Sequence, residues 1–182
     1  MVDIDALLAA SAGIQLDIGC GGAKQAGFVG LDMRELPGVD IVHDVNVHPW
    51  PLPDECAIRA IASHIVEHIP PVAIRPDGTT WFPFVAFMDE VWRVLKVDGQ
   101  FAIATPHGYS PGYLQDPTHC NACNEATWAY FDPLESATGG GLYRIYRPKP
   151  WKIEPVGGLS WSPMGNIEVL LSKRREDRTY YE

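Results

Sequence analysis

Three groups of residues in this 182-residue chain have the types and spacing for chemistry. The first is a turn, Gly19-Cys20-Gly21-Gly22, that follows Ile14-Gln-Leu-Asp17-Ile18. Glycine there lets the backbone take positive φ and lets a ligand approach bare peptide groups, and Asp17 sets a carboxylate beside it. The second comprises His64, His107 and His119, the last closing Asp116-Pro-Thr-His119. Imidazole is the natural acceptor for a nucleophile's proton near neutral pH. The third is His119-Cys120-x-x-Cys123, two thiolates and an imidazole that could hold part of a zinc site with His107 as a fourth ligand. No second C-x-x-C exists, so these are read as loop residues and no metal site is assigned.

The elements that must position these groups follow from periodicity. Ile14, Leu16 and Ile18 alternate with polar neighbours, as one face of a short buried strand does. In an open parallel sheet, ligands bind outside the carboxyl ends of the strands, which is where the glycine turn would lie. Its spacing argues against two phosphate-binding motifs. A dinucleotide fingerprint needs a third glycine where Lys24 stands, and a P-loop needs Ser or Thr where Gln25 stands. A nicotinamide oxidoreductase is therefore disfavoured.

Leu16-Asp-Ile-Gly-Cys-Gly21 resembles the first motif of the class I S-adenosylmethionine (SAM)-dependent methyltransferases. Further resemblances follow in order. Val29-Gly-Leu-Asp32 is similar to the family's second strand with its terminal acid, and His43-Asp44-Val45 to the segment that meets adenine. Ala60-Ile-Ala-Ser63, followed by Glu67-His68, resembles the fourth strand and the start of the next helix. Phe87 to Thr105, with Arg93-Val-Leu-Lys-Val-Asp-Gly99, resembles the following helix and fifth strand. The resemblance spans residues 13–106.

It implies a three-layer Rossmann-like α/β fold, mostly parallel, with an antiparallel C-terminal hairpin. It also implies SAM as cofactor and S-adenosylhomocysteine as product. Asp17 and the Gly19, Cys20 and Gly21 backbone would face the methionine moiety. Asp32 would accept the ribose hydroxyls with Met33 beside it, Asp44 and Val45 would meet the adenine, and Ser63 would complete the cofactor set. His64, after the fourth strand, should point at the methyl and ranks first as catalytic residue. Glu67 and His68 read as structural or as neighbours of the cofactor. His107 follows the fifth strand, and Asp116-Pro-Thr-His119 resembles a motif of small-molecule and glycan-directed members. The acceptor expected is thus a small molecule or glycan-like compound, methylated at N or O. Two alternatives stay open: a catalytically idle binding module on the same fold, and an RNA-directed enzyme.

One feature departs from the family pattern. Only Ala23-Lys-Gln-Ala-Gly27 separates the turn from Phe28, room for about one helical turn, so the first crossover is shortened. Elsewhere, residues 3–11 read as a short helix, with Phe28–Asp32, Val39–His43 and Ile58–Ser63 as strands. Residues 70–83, with Pro70-Pro71 and Pro76-Asp-Gly78, read as an exposed excursion. Apolar positions 84, 87, 88, 91, 92 and 95 have helical spacing, which Gly99 is expected to stop before a buried strand at Phe101–Ala104. Residues 107–142 show no period and are expected to form a substrate-side lid within a single domain spanning 1–182. Tyr143–Ile153 and Ile167–Leu171 are expected to pair as the terminal hairpin, with Gly157-Gly158 and Pro163 between them.

A net charge of −9 argues against a surface built to grip phosphate backbones. The amino-methylating DNA enzymes carry a [DNS]-P-P-[YFW] tetrad where this chain has Ser63-His-Ile-Val66, and it lacks the Pro-Cys of cytosine-C5 enzymes. Basic and aromatic residues do alternate from Tyr143 to Lys152, a pattern that could stack bases but fits an edge strand guarded by charge and proline. No apolar run approaches the ~20 residues of a membrane span. The acidic start, Met1-Val-Asp-Ile-Asp5, leads to the expectation of a cytoplasmic protein.

Overall fold

The computed structural model describes residues 3–10, 12–135, 140–155 and 158–181. The chain runs through α1 (Ile4–Ala10), β1 (Ile14–Ile18), β2 (Val29–Asp32), β3 (Ile41–Val42) and β4 (Ala57–Ser63). A 3₁₀ turn at Val66–His68 leads to the small hairpin β5 (Ala73–Ile74) and β6 (Thr80–Trp81), then α2 (Pro83–Val94) and β7 (Leu95–Pro106). Three short helices follow, α3 (Pro111–Leu114), α4 (Glu125–Ala129) and α5 (Gly140–Tyr146). Strands β8 (Trp151–Ile153), β9 (Leu159–Trp161) and β10 (Asn166–Lys173) complete the sheet, before a 3₁₀ turn at Arg178–Tyr181. Among the described residues no helix is long and apolar enough to cross a membrane.

The main sheet has the order β3-β2-β1-β4-β7-β10-β8, with β9 on β10. The five strands from β3 to β7 are parallel, and β10 runs antiparallel to β7, β8 and β9. Strand order reverses at β1, with β2 and β3 on one side and β4 and β7 on the other. Alternation places Leu16, Ile18, Leu31, Ala60 and Phe101 in the core. Helix α2 packs Phe87, Met88, Val91 and Val94 into it, the Phe87 ring lying 6.3 Å from Phe101. The mostly parallel sheet with an antiparallel C-terminal addition is as expected.

The first crossover is shorter than expected, since residues 19–28 contain no helix at all. Polar contacts hold it instead: Lys24 Nζ lies 2.6 Å from Asp40 Oδ2, and Asp40 also accepts from Gly30 N–H at 2.8 Å. Two boundaries differ from the sequence expectation. Helix α2 ends at Val94, because Leu95 is already extended (φ −75°, ψ 143°) and pairs with Ala57 in the sheet. Gly99 lies inside β7, where a Cβ would meet Lys96 O at 2.7 Å, next to a register shift between β4 and β7. It permits a bulge and does not stop a helix.

The terminal hairpin is also redrawn. Tyr143–Tyr146 is helical in α5, and only Trp151–Ile153 pairs with β10. Tyr143 is buried and stacks on Tyr181 at 5.7 Å, while Trp151 is fully buried against Phe101. Packing of Tyr143 outweighs the strand propensity of its part of the run, Trp151 keeps its strand, and Pro148 and Pro150 separate helix from strand. Neither ring is free to stack on a base. Gly157, expected between the hairpin strands, lies outside the described residues.

Candidate active site

The carboxyl ends of β1, β2, β3 and β4 meet at the reversal point and enclose a cleft of about 420 Å³. Its walls include Gly19, Asp32, Met33, Asp44, Val45, His64 and His68. The volume falls within the ~300–1,000 Å³ of small-ligand pockets, and the position is the usual ligand site of open α/β sheets.

Gly19 has φ 70°, and a Cβ there would run into Ile65 Cδ1. Glycine is therefore required by both conformation and close approach. Its N–H donates to Leu31 O at 2.7 Å, which draws the turn over the end of β2. Gly21, φ 54°, donates its N–H to Asp32 Oδ2 at 2.8 Å. The Arg34 N–H and Nε donate to Asp32 Oδ1 at 2.9 and 3.3 Å. Burial raises the Asp32 carboxyl, but these bonds and the Arg34 charge outweigh it and hold the group below its ordinary value. Asp32 is an ionised, nearly buried acceptor at the cleft floor. Three of its roughly four lone-pair sites are taken by the chain itself.

Asp44 is half-buried and accepts from Asn46 N–H and Nδ2 at 2.9 and 3.1 Å. Val45 is buried, its carbonyl accepting from Trp50 Nε1 at 3.2 Å. Met33 is exposed at the rim. Asp32, Met33, Asp44 and Val45 thus line one cleft.

Other expected members lie apart. Asp17 accepts the Gln25 N–H at 2.7 Å and caps the crossover. Burial raises its carboxyl more than the Gln25 bond and the Lys24 charge lower it. Cys20 turns its sulfur toward Gly30, where a Cβ would lie 2.7 Å from it. Burial, then the charges of Asp17 and Asp32, pushes the thiol up to about 11. Ser63 lines a shallow groove between β4, β7 and β10, away from the cleft.

The histidines divide in the same way. His64 lines the cleft and is held at φ 55°, its N–H bonded to Ala104 O at 2.8 Å. A non-glycine residue at positive φ carries strain of ~1–3 kcal/mol, and such residues cluster at functional sites. The ring is half-exposed, with Nδ1 3.2 Å from Glu67 Oε1 and Nε2 3.4 Å from Asn166 Nδ2 at the surface. His107 is corrected: it is buried, accepts the Tyr109 N–H at Nδ1, and so donates from Nε2 to Glu125 at 3.3 Å. It also stacks on Trp161, and both nitrogens are engaged away from the cleft.

Asp116 and His119 do not line the cleft, yet they touch it through His68. Thr118 Oγ1 donates to Asp116 Oδ1 at 2.7 Å and stands 3.0 Å from His68 Nδ1. The Thr118 bonds hold the Asp116 carboxyl below its ordinary value. The His119 ring meets that of His68 edge-on at 4.7 Å.

The lid expectation is corrected in part. Cys123, Trp128 and Phe131 are buried in the core, the two rings against Phe84. Burial, then the Glu67 charge, pushes the Cys123 thiol up to about 12. Cys120 and Asn121 donate their N–H groups to Glu67 O at 2.8 and 3.1 Å, which binds this stretch to the turn after β4. Residues 136–139 of the expected lid lie outside the described residues. Sequence reasoning ranked Glu67 and His68 below His64. His64 and Glu67 meet because the left-handed His64 turns the chain into the Val66–His68 turn, a conformation that sequence spacing does not encode.

No family model and no curated protein matches the chain. Solved structures do. A SAM-dependent methyltransferase from Archaeoglobus fulgidus matches with a TM-score of 0.55 at 15% identity, over 94% of this chain and 95% of that one. The YcgJ protein from Bacillus subtilis gives 0.53 at 13% identity, over 95% and 98%. A SAM-dependent methyltransferase from Mesorhizobium loti gives 0.50 at 15% identity, over 94% and 100%. At these identities the likeness is one of fold, and this chain is built on the Rossmann-like fold of SAM-dependent methyltransferases.

Proposed function

We propose that the chain is a SAM-dependent methyltransferase that moves a methyl group to an N or O atom of a small-molecule or glycan-like acceptor. The observation that carries this reading is the cleft. An ionised Asp32 ends β2 beneath the Gly19 turn, and His64 stands across from it at the end of β4. SAM supplies an electrophilic methyl on a sulfonium, so the chain's tasks are to bind, to align and to receive a proton. Alignment alone can lower a barrier by ~7–11 kcal/mol. Asp32 would accept the ribose hydroxyls, with Asp44 and Val45 at the adenine and the Gly19–Gly21 backbone at the methionine end. His64 would take the acceptor's proton. The buried Tyr143 and Trp151 and the acidic body favour a small acceptor over RNA.

For Asp32 to hold both ribose hydroxyls, the exposed Arg34 guanidinium must swing off Oδ1, leaving the backbone bonds from Gly21 and Arg34 in place. Asp32→Ala is expected to weaken SAM binding at least tenfold, about 1.4 kcal/mol. Unchanged affinity would place the ribose elsewhere. A second reading, an idle binding module, draws on the self-occupied Asp32 and the helix-free crossover. Extract incubated with the protein and isotopically labelled SAM separates the two. A labelled product by mass spectrometry, with S-adenosylhomocysteine released, supports transfer. SAM binding without either supports the idle module.

A further inference from the structure

Glu67 is fully buried just behind the cleft wall. Its Oε2 accepts the Thr105 hydroxyl at 2.9 Å, whereas Oε1 makes no hydrogen bond. His64 Nδ1 comes within 3.2 Å of Oε1 without the alignment of a hydrogen bond. A buried carboxylate oxygen in that state costs free energy unless a cation or donor meets it.

Two imidazoles stand beside it. One ligand atom from each of Glu67, His68 and His119 lies within 4.8 Å of the other two, and this is the one group of three or more such residues among those described. The surrounding bonds fix the proton on each ring. His119 Nδ1 lies 2.8 Å from Tyr113 O, which can only accept, so Nδ1 carries the hydrogen. Thr118 gives its single hydroxyl hydrogen to Asp116, so it accepts from His68 Nδ1–H. Each ring is left with its lone pair on Nε2. Asp116 Oδ2, at 3.8 Å from His119 Nε2, is too far to hydrogen-bond it. Outer partners that set the tautomer in this way are a general feature of metal-ligating histidines.

We propose that Glu67, His68 and His119 form a binding site for a divalent first-row transition-metal ion such as zinc. Two neutral imidazoles and one carboxylate suit such an ion and leave open positions. Ligand atoms around tetrahedral zinc lie about 3.3 Å apart, so atoms now within 4.8 Å of one another would have to close in, with the exposed His68 and its Thr118 partner shifting toward the fixed Glu67. Oε2 keeps its bond to Thr105, and Oε1, which has no hydrogen bond, is the oxygen Glu67 would offer the ion. This differs from the His119/Cys120/Cys123 set considered from sequence, whose Cys123 is a core thiol held protonated. His68 also lines the cleft, so an ion held there would stand at the cleft wall. There the ion would hold an acceptor oxygen and ease its deprotonation. That role rests on the methyl-transfer reading, whereas metal binding does not.

The test is made without SAM. Protein stripped with a chelator and checked by circular dichroism is titrated with Zn²⁺ calorimetrically and with Co²⁺ by visible absorption. One equivalent is expected to bind, with tetrahedral or five-coordinate cobalt bands and no thiolate charge-transfer band. His68→Ala and His119→Ala should each weaken Zn²⁺ at least tenfold, Thr118→Val should weaken it by a similar factor, and Cys120→Ser should leave it unchanged. His68 is exposed, so its variant stays informative if His119→Ala misfolds. No stoichiometric binding, affinity unaltered in His68→Ala, or loss of binding in Cys120→Ser would each overturn the site. Because binding is read without cofactor, failure here leaves the SAM reading intact, and failure of SAM binding leaves this site intact.

Discussion

Replacing His64 with alanine is expected to lower methyl transfer by a factor of about 10²–10⁴, the usual contribution of a positioned general base. The reason is geometric. Of the three histidines offered by the sequence as proton acceptors, His64 alone lines the cleft, where Asn166 would have to yield Nε2 to the acceptor, and His107 is buried away from it. The ring is half-exposed and its backbone is fixed by Ala104 O, so its loss should leave the fold and SAM affinity nearly unaltered. Turnover of the acceptor found by labelling, compared with SAM affinity for the same variant, checks this. Full turnover in His64→Ala would remove it from the mechanism. Loss of turnover and SAM binding together would make it a cofactor residue.

Gly19→Ala should be the most damaging small substitution near the cleft. Left-handed backbone costs a non-glycine residue ~1–2 kcal/mol, and driving a methyl into packed Ile65 adds ~1–3 kcal/mol. Urea denaturation should therefore show a loss of about 2–5 kcal/mol. The two parts can be separated. Ile65→Ala removes the side chain that the new Cβ would strike, so in the double variant the steric share should vanish and the backbone share remain. A coupling of ~1–3 kcal/mol between the two sites is the expected result. Strict additivity would mean that Ile65 does not define this turn.

The glycine turn, Asp32, Asp44 and Val45 were legible because strand alternation, the turn and the terminal acid are local, and local order fixes which residues reach the carboxyl edge of a parallel sheet. The same logic found His64 after β4. What it missed was decided by long-range packing. Tyr143 and Trp151 look alike in a basic, aromatic run, yet one enters a helix that stacks on Tyr181 and the other a strand over Phe101. Trp128 and Phe131 look like pocket walls in a polar stretch, but Phe84 draws them into the core. Gly99 carries the composition of a helix stop, and only its crowding against Lys96 O shows it to be a bulge. The meeting of Glu67 and His68 with His119 spans about fifty residues, and no periodicity encodes it. Asp116-Pro-Thr-His119, read as a substrate-side motif, meets the His68 side of the cleft wall through Thr118, a contact that local sequence does not encode.

SAM is proposed to bind in the cleft between the Gly19 turn, Asp32, Val45 and His64. Titration calorimetry of the whole protein with SAM, and separately with S-adenosylhomocysteine, tests it most directly. Saturable binding of both at one site per chain is expected, weakened at least tenfold by Asp32→Ala in each case. Absence of heat with both ligands at high protein concentration would contradict it.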